Sequence, residues 1–383
     1  MTSPLNTGVV ATSRMSDEWR VPIHPAHLDR IPADLRAKLT FERGYGERFN
    51  VSDAELAGKV GGLASREEIL SDCDVVILAK PVEEDLRELH EGGVLWGWPH
   101  CVQQQPITQA AIDRRLTLIA FEAMYNWLGP ERRDMHIFCR NNELAGYCAV
   151  LHALHLCRLD GLYGPGANAV ILSFGSVSRG AYYALSGRGF DNTTIYVEWP
   201  VHLVRDRPPN SCFRRMRRGG PRQPAAVVDA PGDTRRPLVE VLAESDVIVN
   251  AILQDTDNPF TYMQPGDETR LKPGSLIIDV SCDRGMGFPF AQPTSFETPT
   301  FPAGAATYYA VDHTPSYLWN AASSEISDAL LPYLETVMAG PEDWAKNPTI
   351  ARAIEIRDGV IENQKILSFQ RRRTSYPHAV EAQ

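Results

Sequence analysis

The chain of 383 residues is long enough for two domains, and its composition is that of an ordinary globular protein. Its formal net charge of −10 argues against a nucleic acid or an anionic membrane surface as the main partner. Seven cysteines without paired spacing indicate free thiols in a reducing compartment. The sequence has no metal-binding motif, no apolar run long enough to span a membrane and no signal-peptide pattern, so we expect a cytoplasmic protein without a metal site.

Short apolar runs separated by helical patterns fill the first part of the chain, which predicts an α/β domain built on a parallel sheet. Lys80, His100 and Glu122 each stand at or just after the end of a predicted strand. Because open α/β sheets bind their ligands at the carboxyl ends of the strands, we expect these three side chains to share one edge. The predicted strands cover residues 7–12, 39–42, 74–78, 94–97 and 116–121.

Helical patterns lie between and after these strands. Ser65 begins a capping-box pattern, which predicts the start of a helix. A long helix is predicted over residues 143–158, with Asn142 as its N-terminal cap, and it leads into a second domain. Near the end of the chain, residues 316–338 and 350–367 also have helical spacing.

The stretch from 167 to 198 has the order of a dinucleotide-binding βαβ unit: an apolar strand, a glycine turn, a helix, a second strand and the terminal acid Glu198. In such units the turn approaches a pyrophosphate, the helix N-terminus stabilises its negative charge and the acid accepts ribose hydroxyls. In the G-x-G-x-x-G pattern Gly175 holds its place, whereas Ser173 and Ser178 replace the outer glycines and Gly180 comes two positions late. The expected cofactor contacts are Ser173, Gly175, Ser176, Val177 and Glu198.

The identity of the cofactor stays open between NAD and NADP. Residues 200–222 are rich in arginine, and the simplest interpretation of that segment is a solvated excursion. Alternatively, an arginine near its start reaches the 2′-phosphate of NADP. Glu198 opposes this alternative, because an acid at that position repels a phosphate, and it gives a slight preference for NAD.

These patterns together predict an α/β protein of two Rossmann-like domains with a cleft between them. Residues 1–141 are expected to form a substrate and catalytic domain, and residues 142–315 a dinucleotide-binding domain. The C-terminal helices, within residues 316–383, are expected to return to the first domain.

Several motifs resemble those of the alanine dehydrogenase, saccharopine dehydrogenase and transhydrogenase family, along nearly the whole chain. Arg20 in EWRVPIHP resembles the family's substrate-carboxylate arginine. Lys80 in VILAKP and His100 in GWPH resemble its catalytic lysine and histidine. Asn142 in NNELAG is similar to a residue on the nicotinamide side, and Asp283 in IIDVSCD to the acid near the nicotinamide ribose and the substrate.

Within the family, FGSVSRGA and the SCD motif are most similar to carboxyethylornithine synthases and lysine-ketoglutarate reductases. The resemblance implies a nicotinamide-dependent oxidoreductase acting on a CH–NH bond, which condenses a small keto acid such as pyruvate with the side-chain amine of a basic amino acid. Lys80, His100 and Asp283 are then the expected catalytic residues, and Arg20 binds the keto-acid carboxylate. Glu122 and Asp283 suit the distal ammonium of the amino acid, because a cation leaving water needs a partner.

Two alternatives stay open. One is an alanine dehydrogenase that aminates pyruvate with ammonia, and the other is a Rossmann-type binding protein without turnover. In each case the expected partners are small molecules, with neither nucleic acid nor membrane, and assembly into a homo-oligomer is left open.

Overall fold

The computed structural model describes residues 4–11, 13–218, 227–230 and 234–381, so Arg222 of the arginine-rich segment lies outside the described residues. The chain divides into two compact units. The first unit comprises Met1–Cys139 and Trp319–Gln383, and the second comprises Arg140–Leu318. Across the described part of the chain, none of the helices combines the length and the apolar character that crossing a membrane requires.

The strands are, in chain order, β1 (Thr7–Val9), β2 (Leu39–Glu42), β3 (Gly62–Ala64), β4 (Val75–Leu78), β5 (Val94–Gly97), β6 (Thr117–Ala120), β7 (Tyr125–Trp127), β8 (Arg133–His136), β9 (Asn168–Leu172), β10 (Asn192–Val197), β11 (Cys212–Arg217), β12 (Val227–Ala230), β13 (Thr234–Pro237), β14 (Val247–Asn250), β15 (Leu276–Asp279), β16 (Thr300–Ala303), β17 (Ala306–Tyr309), β18 (Ile354–Arg357) and β19 (Val360–Ile361).

The α-helices are α1 (Ala33–Arg36), α2 (Asp53–Ala57), α3 (Arg66–Asp72), α4 (Glu83–Glu88), α5 (Gln105–Asp113), α6 (Cys139–Cys157), α7 (Ser176–Gly187), α8 (Leu238–Glu244), α9 (Trp319–Ala339), α10 (Pro341–Trp344), α11 (Pro348–Ala351) and α12 (Gln364–Gln370). Short 3₁₀ turns cover Pro25–Arg30, Glu47–Phe49, Phe121–Ala123, Val201–Leu203, Asp267–Arg270 and Thr314–Leu318.

The first unit is built on a sheet with the order β19-β18-β6-β5-β4-β1-β2-β3. Strands β1 to β6 run parallel, and helices cover both faces, so the central strand β4 is apolar and buried throughout. Its Ile77 belongs to the apolar cluster that includes Leu330 of α9, and its Val76 to the one that includes Ile69 of α3. Because β4, β5 and β6 are neighbours, their carboxyl ends lie side by side.

The end of the first unit differs from its prediction. Residues 350–367 were expected to be helical, but β18 and β19 form a hairpin there, and β18 pairs antiparallel with β6. The hairpin turns at Asp358 and Gly359, whose φ angles are +50° and +79°. An Asp-Gly pair with two positive φ angles is the favoured two-residue hairpin turn, and it interrupts the helical spacing. As a result β18 carries Glu355 into the interior of the unit.

Of the two helix starts predicted from capping residues, the structure confirms the one at Ser65 and contradicts the one at Asn142. The capping box at Ser65 is confirmed: its hydroxyl accepts from the backbone N–H of Glu68 at 3.2 Å, and its own N–H donates to the Glu68 carboxylate at 2.7 Å. Asn142 is not a cap, because α6 begins at Cys139 and Asn142 lies inside its first turn. An ion pair one turn apart, between Arg140 and Glu143 at 2.8 Å, supports the longer helix.

The second unit contains a sheet with the order β13-β12-β11-β10-β9-β14-β15-β17-β16. The six middle strands of this order, which are β11, β10, β9, β14, β15 and β17, run parallel. Antiparallel pairing adds β12 and β13 at one edge and β16 at the other. The strand order reverses between β9 and β14, which is the point where doubly wound sheets bind ligands. The predicted βαβ unit is β9, α7 and β10. The α/β class with two Rossmann-like domains and C-terminal helices returning to the first is confirmed.

Candidate active site

The first unit brings Lys80, His100 and Glu122 together at the carboxyl ends of β4, β5 and β6, as the sequence predicts. The backbone N–H of His100 donates to Oε1 of Glu122 at 2.7 Å, and His100 Nδ1 lies 3.8 Å from the same oxygen. Burial raises the pKa of the Glu122 carboxyl, and the positive charge of Lys80 partly opposes this increase. A histidine, a lysine and a carboxyl in one place form a set that can bind a polar substrate and move protons.

The backbone of His100 is in the left-handed region, with a φ of +47°. Residues other than glycine adopt this region rarely, at a cost on the order of 1 kcal/mol, and they do so most often at functional sites. The hydrogen bond from His100 N–H to Glu122 holds this conformation. Glu122 therefore helps to hold the backbone from which the imidazole projects.

Glu122 retains a proton more strongly than an ordinary glutamate. Burial, and next the negative charge of Glu355, raise its pKa well above the usual range, against hydrogen bonds from the backbone N–H groups of Glu122 and His100 and the charge of Lys80. A quarter of its side-chain area is exposed, but its Oε2 atom is buried. Glu355 itself is 5% exposed and comes from β18, far along the chain.

Arg20, the predicted ligand of the substrate carboxylate, is 5% exposed and engaged by a neighbour. Its Nε donates to Oε1 of Glu18 at 2.8 Å and its Nη2 donates to Oε2 at 2.5 Å. Its guanidinium also lies 5.2 Å from the centre of the Trp98 ring, so it is near the segment that carries His100. The fork predicted for a substrate carboxylate is formed, and Glu18 occupies it.

In the second unit, Ser173 takes the place and the conformation of a glycine. Its φ is +81°, and its hydroxyl donates to the Ala251 carbonyl at 3.1 Å and lies 3.3 Å from the Ser178 hydroxyl. A Cβ added to Gly175 would meet no atom within 4 Å among the described residues. Helix α7 then begins at Ser176, and over the described ranges no side chain caps it. Open space before uncapped N–H groups fits the pyrophosphate of a dinucleotide.

Two glycines set α6 directly against α7. A Cβ on Gly146 would lie 1.9 Å from the Val177 carbonyl oxygen, and one on Gly180 would lie 1.8 Å from the Glu143 carbonyl oxygen. Both distances are impossible for a side chain, so both positions require glycine. Asn142, one turn before Gly146 on α6, lies on the face of the helix that contacts the start of α7.

Glu198 follows β10 as predicted, but an arginine holds it. Its Oε1 accepts from Nε of Arg218, and its backbone oxygen accepts from Nε of Arg215 at 3.3 Å. The arginine-rich segment is therefore not a solvated excursion throughout, because its residues 212–217 form β11, parallel to β10. Arg207, nearer its start, donates to the carbonyls of Val201 and Val204 instead.

Asp283 lies just beyond β15, and burial raises the pKa of its carboxyl. The turn before it is fixed by Asp279, whose Oδ1 accepts from the backbone N–H of Cys282 at 2.9 Å. Asn250 and Tyr308 also donate to the Asp279 carboxylate, at 2.9 Å and 2.7 Å. Burial raises the pKa of Asp279 to about 6 in spite of these three donors.

The sequence missed several residues that hold the predicted ones in place. Glu18 had a detectable signal, since it precedes Arg20 by two positions with the opposite charge. Arg218 lay within the arginine-rich segment, without any sign that it returns to Glu198. Glu355 had no signal, because its segment was predicted to be helical. The supporting residues missed are Glu18, Arg218, Asp279 and Glu355.

A glycine turn that opens a helix, beside a strand that ends on an acid, is typical of a dinucleotide-binding domain. The sequence matches the alanine dehydrogenase/PNT N-terminal domain over residues 8–145 and the alanine dehydrogenase/PNT C-terminal domain over residues 224–364. Together the two matches cover more than half of the chain. The protein belongs to the alanine dehydrogenase/PNT family, and it is a dehydrogenase that uses a nicotinamide dinucleotide.

Individual relatives are similar at low identity. An N(5)-(carboxyethyl)ornithine synthase of Clostridium botulinum is 27% identical over 325 residues, which are 82% of this chain and 89% of the relative. An alanine dehydrogenase of Mycobacterium tuberculosis is 22% identical over 373 residues, 93% of this chain and 95% of the relative. A solved L-alanine dehydrogenase shares the fold, with a TM-score of 0.75, 18% identity and coverage of 95% of this chain and 98% of that one.

Proposed function

We propose that the protein reductively condenses a small keto acid such as pyruvate with the side-chain amine of a basic amino acid. The observation that carries this proposal is the cluster of Lys80, His100 and Glu122 at adjacent strand ends, in a dehydrogenase similar to a carboxyethylornithine synthase. A keto acid and an amine lose water to form an imine, and a nicotinamide dinucleotide, when bound, supplies the hydride that reduces its carbon.

Arg20 binds the carboxylate of the keto acid in this proposal. A guanidinium presents its donors in a planar fork that matches a carboxylate. Because Glu18 already accepts from two nitrogens of that fork, a substrate carboxylate has to share the guanidinium with Glu18 or displace it. Glu18 fixes the guanidinium plane, and it also weakens the attraction of Arg20 for an anion.

His100 and Lys80 handle the protons. Forming the imine requires a proton on the departing carbonyl oxygen, and reducing it leaves a proton on nitrogen. The half-buried imidazole of His100 suits this work near neutral pH. The ammonium of Lys80 binds the keto oxygen and donates to it as water leaves.

The carboxyls have different roles. Oε1 of Glu122 accepts from the His100 N–H and its Oε2 is buried, so positioning His100 fits Glu122 better than the contact with a substrate ammonium that the sequence suggested. In the second unit we assign the orientation of the amine to Asp283. Asn142, Ser173, Gly175, Ser176, Val177 and Glu198 hold the dinucleotide.

Amination of pyruvate by ammonia is the second candidate function. It is favoured by the similarity to an alanine dehydrogenase across 93% of the chain. The two candidate reactions differ only in the amine donor. An ammonia donor needs no space in the site beyond that of the reacting nitrogen.

An assay of NADH or NADPH oxidation separates the candidates. Pyruvate is offered with ornithine, with lysine or with ammonium, and 2-aminobutyrate, which lacks a side-chain amine, is the control donor. We expect turnover with ornithine or lysine and none with 2-aminobutyrate. Rapid turnover with ammonium and none with either basic amino acid would assign the protein to the alanine dehydrogenases.

A further inference from the structure

Glu122, which bonds to His100, and Glu355 each have a buried Oε2 atom, and the proposed mechanism uses Glu122 alone. Glu122 belongs to the turn after β6, and Glu355 to β18, the antiparallel neighbour of β6. The negative charge of Glu355 raises the pKa of the Glu122 carboxyl, and only burial raises that pKa more. Two carboxylates that repel each other across a poorly solvated region do not both ionise easily.

Each carboxyl has one satisfied oxygen and one that lacks a partner. Oε1 of Glu122 accepts from His100 N–H at 2.7 Å, and Oε1 of Glu355 accepts from Asn363 Nδ2 at 2.9 Å. The Oε2 atoms of both residues are buried without a hydrogen-bond partner among the described residues. A buried acceptor left unpaired destabilises the folded state, and one proton placed between two carboxyls satisfies both acceptors at once.

We propose that Glu355 is a positioning residue that shares one proton with Glu122 and thereby keeps the carboxyl next to His100 neutral. Lys80 and His100 face Glu122 from the ends of β4 and β5, and the backbone oxygen of Glu122 bonds to His136 of β8, whose pKa burial lowers to about 4. The thiol of Cys101, a weak donor, lies beside Glu355.

The shared proton sets the charge that His100 experiences. An ionised Glu122, with its Oε1 atom 3.8 Å from His100 Nδ1, would stabilise the protonated imidazole and raise the pH at which His100 releases its proton. With the proton shared, His100 stays free to give and take a proton near neutral pH. This role rests on the proposed function of His100, but the shared proton itself does not.

Infrared difference spectroscopy tests the shared proton without any substrate. The wild-type spectrum at pH 7 should contain the carbonyl band of a protonated carboxyl that Glu355→Gln lacks. Glu122→Gln should lose the same band, and it serves if Glu355→Gln does not fold. Glu362→Gln is the matched control, because Glu362 lies on the same segment and pairs with Arg357 at 2.6 Å. A band that survives both Glu122→Gln and Glu355→Gln would overturn the proposal.

The pH profile of kcat/KM tests the consequence for His100. In Glu355→Gln the carboxyl of Glu122 should ionise at lower pH and stabilise the protonated imidazole of His100. The limb of the profile that reports His100 should therefore move to higher pH by about one unit, as expected for a nearby charge. Glu355→Asp should restore the wild-type limb, and Glu362→Gln should leave it unchanged. A Glu355→Gln profile that matches the wild type would overturn the positioning role. A protein that shows the infrared band but turns over no amine donor would instead refute the proposed function.

Discussion

His100 shows how a single residue combines an unfavourable backbone with a defined role. Its positive φ is held by the hydrogen bond to Glu122, whose Oε1 atom also lies 3.8 Å from Nδ1 of its ring. Arg20 is fixed in a similar way by Glu18, and Glu198 by Arg218. At Arg20 and Glu198 the residue that the sequence indicated is held by a charged neighbour whose role the sequence did not indicate.

Replacing His100 with Asn or Lys80 with Met should lower kcat by about 10²-fold or more, because each change removes a group that moves a proton. The dissociation constants of NADH and NADPH, measured by fluorescence titration, should barely change, since both residues belong to the first unit. His90→Asn and Lys59→Met are matched controls. His90 bonds to the Cys73 carbonyl at 3.0 Å, and Lys59 pairs with Asp29 at 2.7 Å. A His100 or Lys80 variant with normal turnover would remove that residue from the mechanism.

The pair of Glu198 and Arg218 should control the choice of cofactor. Glu198→Ser removes the charge that repels a 2′-phosphate and frees Arg218, so the affinity for NADPH relative to NADH should rise. Arg218→Ala leaves Glu198 unpaired and should lower the same ratio. Arg207→Ala, a change in the same segment at a residue that binds backbone carbonyls, is the control. An unchanged ratio in both Glu198→Ser and Arg218→Ala would mean that neither residue approaches the ribose.

At the scale of elements, the hairpin of β18 and β19 is the feature that connects the end of the chain to the site. It extends the first sheet beyond β6 and places Glu355 in the interior. Its register is fixed by the turn at Asp358 and Gly359, so the turn residues control where Glu355 lies. The alternation of apolar residues along β18 is too short to outweigh the helical spacing on either side, which is why the sequence predicted a helix.

Gly359→Ala should destabilise the protein more than Gly92→Ala. Both glycines have a φ of +79°, so both substitutions carry the same backbone strain, on the order of 1 kcal/mol. A Cβ on Gly359 would lie 2.9 Å from the Ile112 carbonyl oxygen, whereas one on Gly92 would meet no atom within 4 Å in the described part of the chain. The free energies of unfolding in urea measure the difference. Equal losses of unfolding free energy in the two variants would mean that the hairpin moves away from the added Cβ at no energetic cost.

At the scale of the whole molecule, the sequence predicted both sheets, the βαβ unit and the strand ends that carry Lys80, His100 and Glu122. These features follow from local periodicity and from the rule that parallel strands bring their ends together. The arrangement of charges could not be predicted in the same way. Glu355 lies on β18, which pairs with β6 across more than two hundred residues, and no local pattern specifies such a pairing.

Stability should fall as the pH rises from about 4 to about 6, because Asp279 keeps its proton in the folded state more strongly than in the unfolded state. Its pKa is about 6 when folded and 3.8 ordinarily, so the folded state binds more protons in this range. The loss amounts to about 3 kcal/mol at most by linkage. Asp279→Asn should flatten this part of the profile, measured by urea unfolding at each pH. An Asp279→Asn profile as steep as that of the wild type would assign the slope to other groups.

The identity of the product tests the proposed reaction most directly. The protein is incubated with pyruvate, NADH or NADPH, and ornithine or lysine that carries a nitrogen isotope in the side-chain amine. Unlabelled ammonium is present as a competitor, and the mass of the product is measured by mass spectrometry. Reductive condensation predicts a secondary amine that contains the carbon atoms of both substrates and keeps the label. Alanine without the label, and no secondary amine, would contradict it.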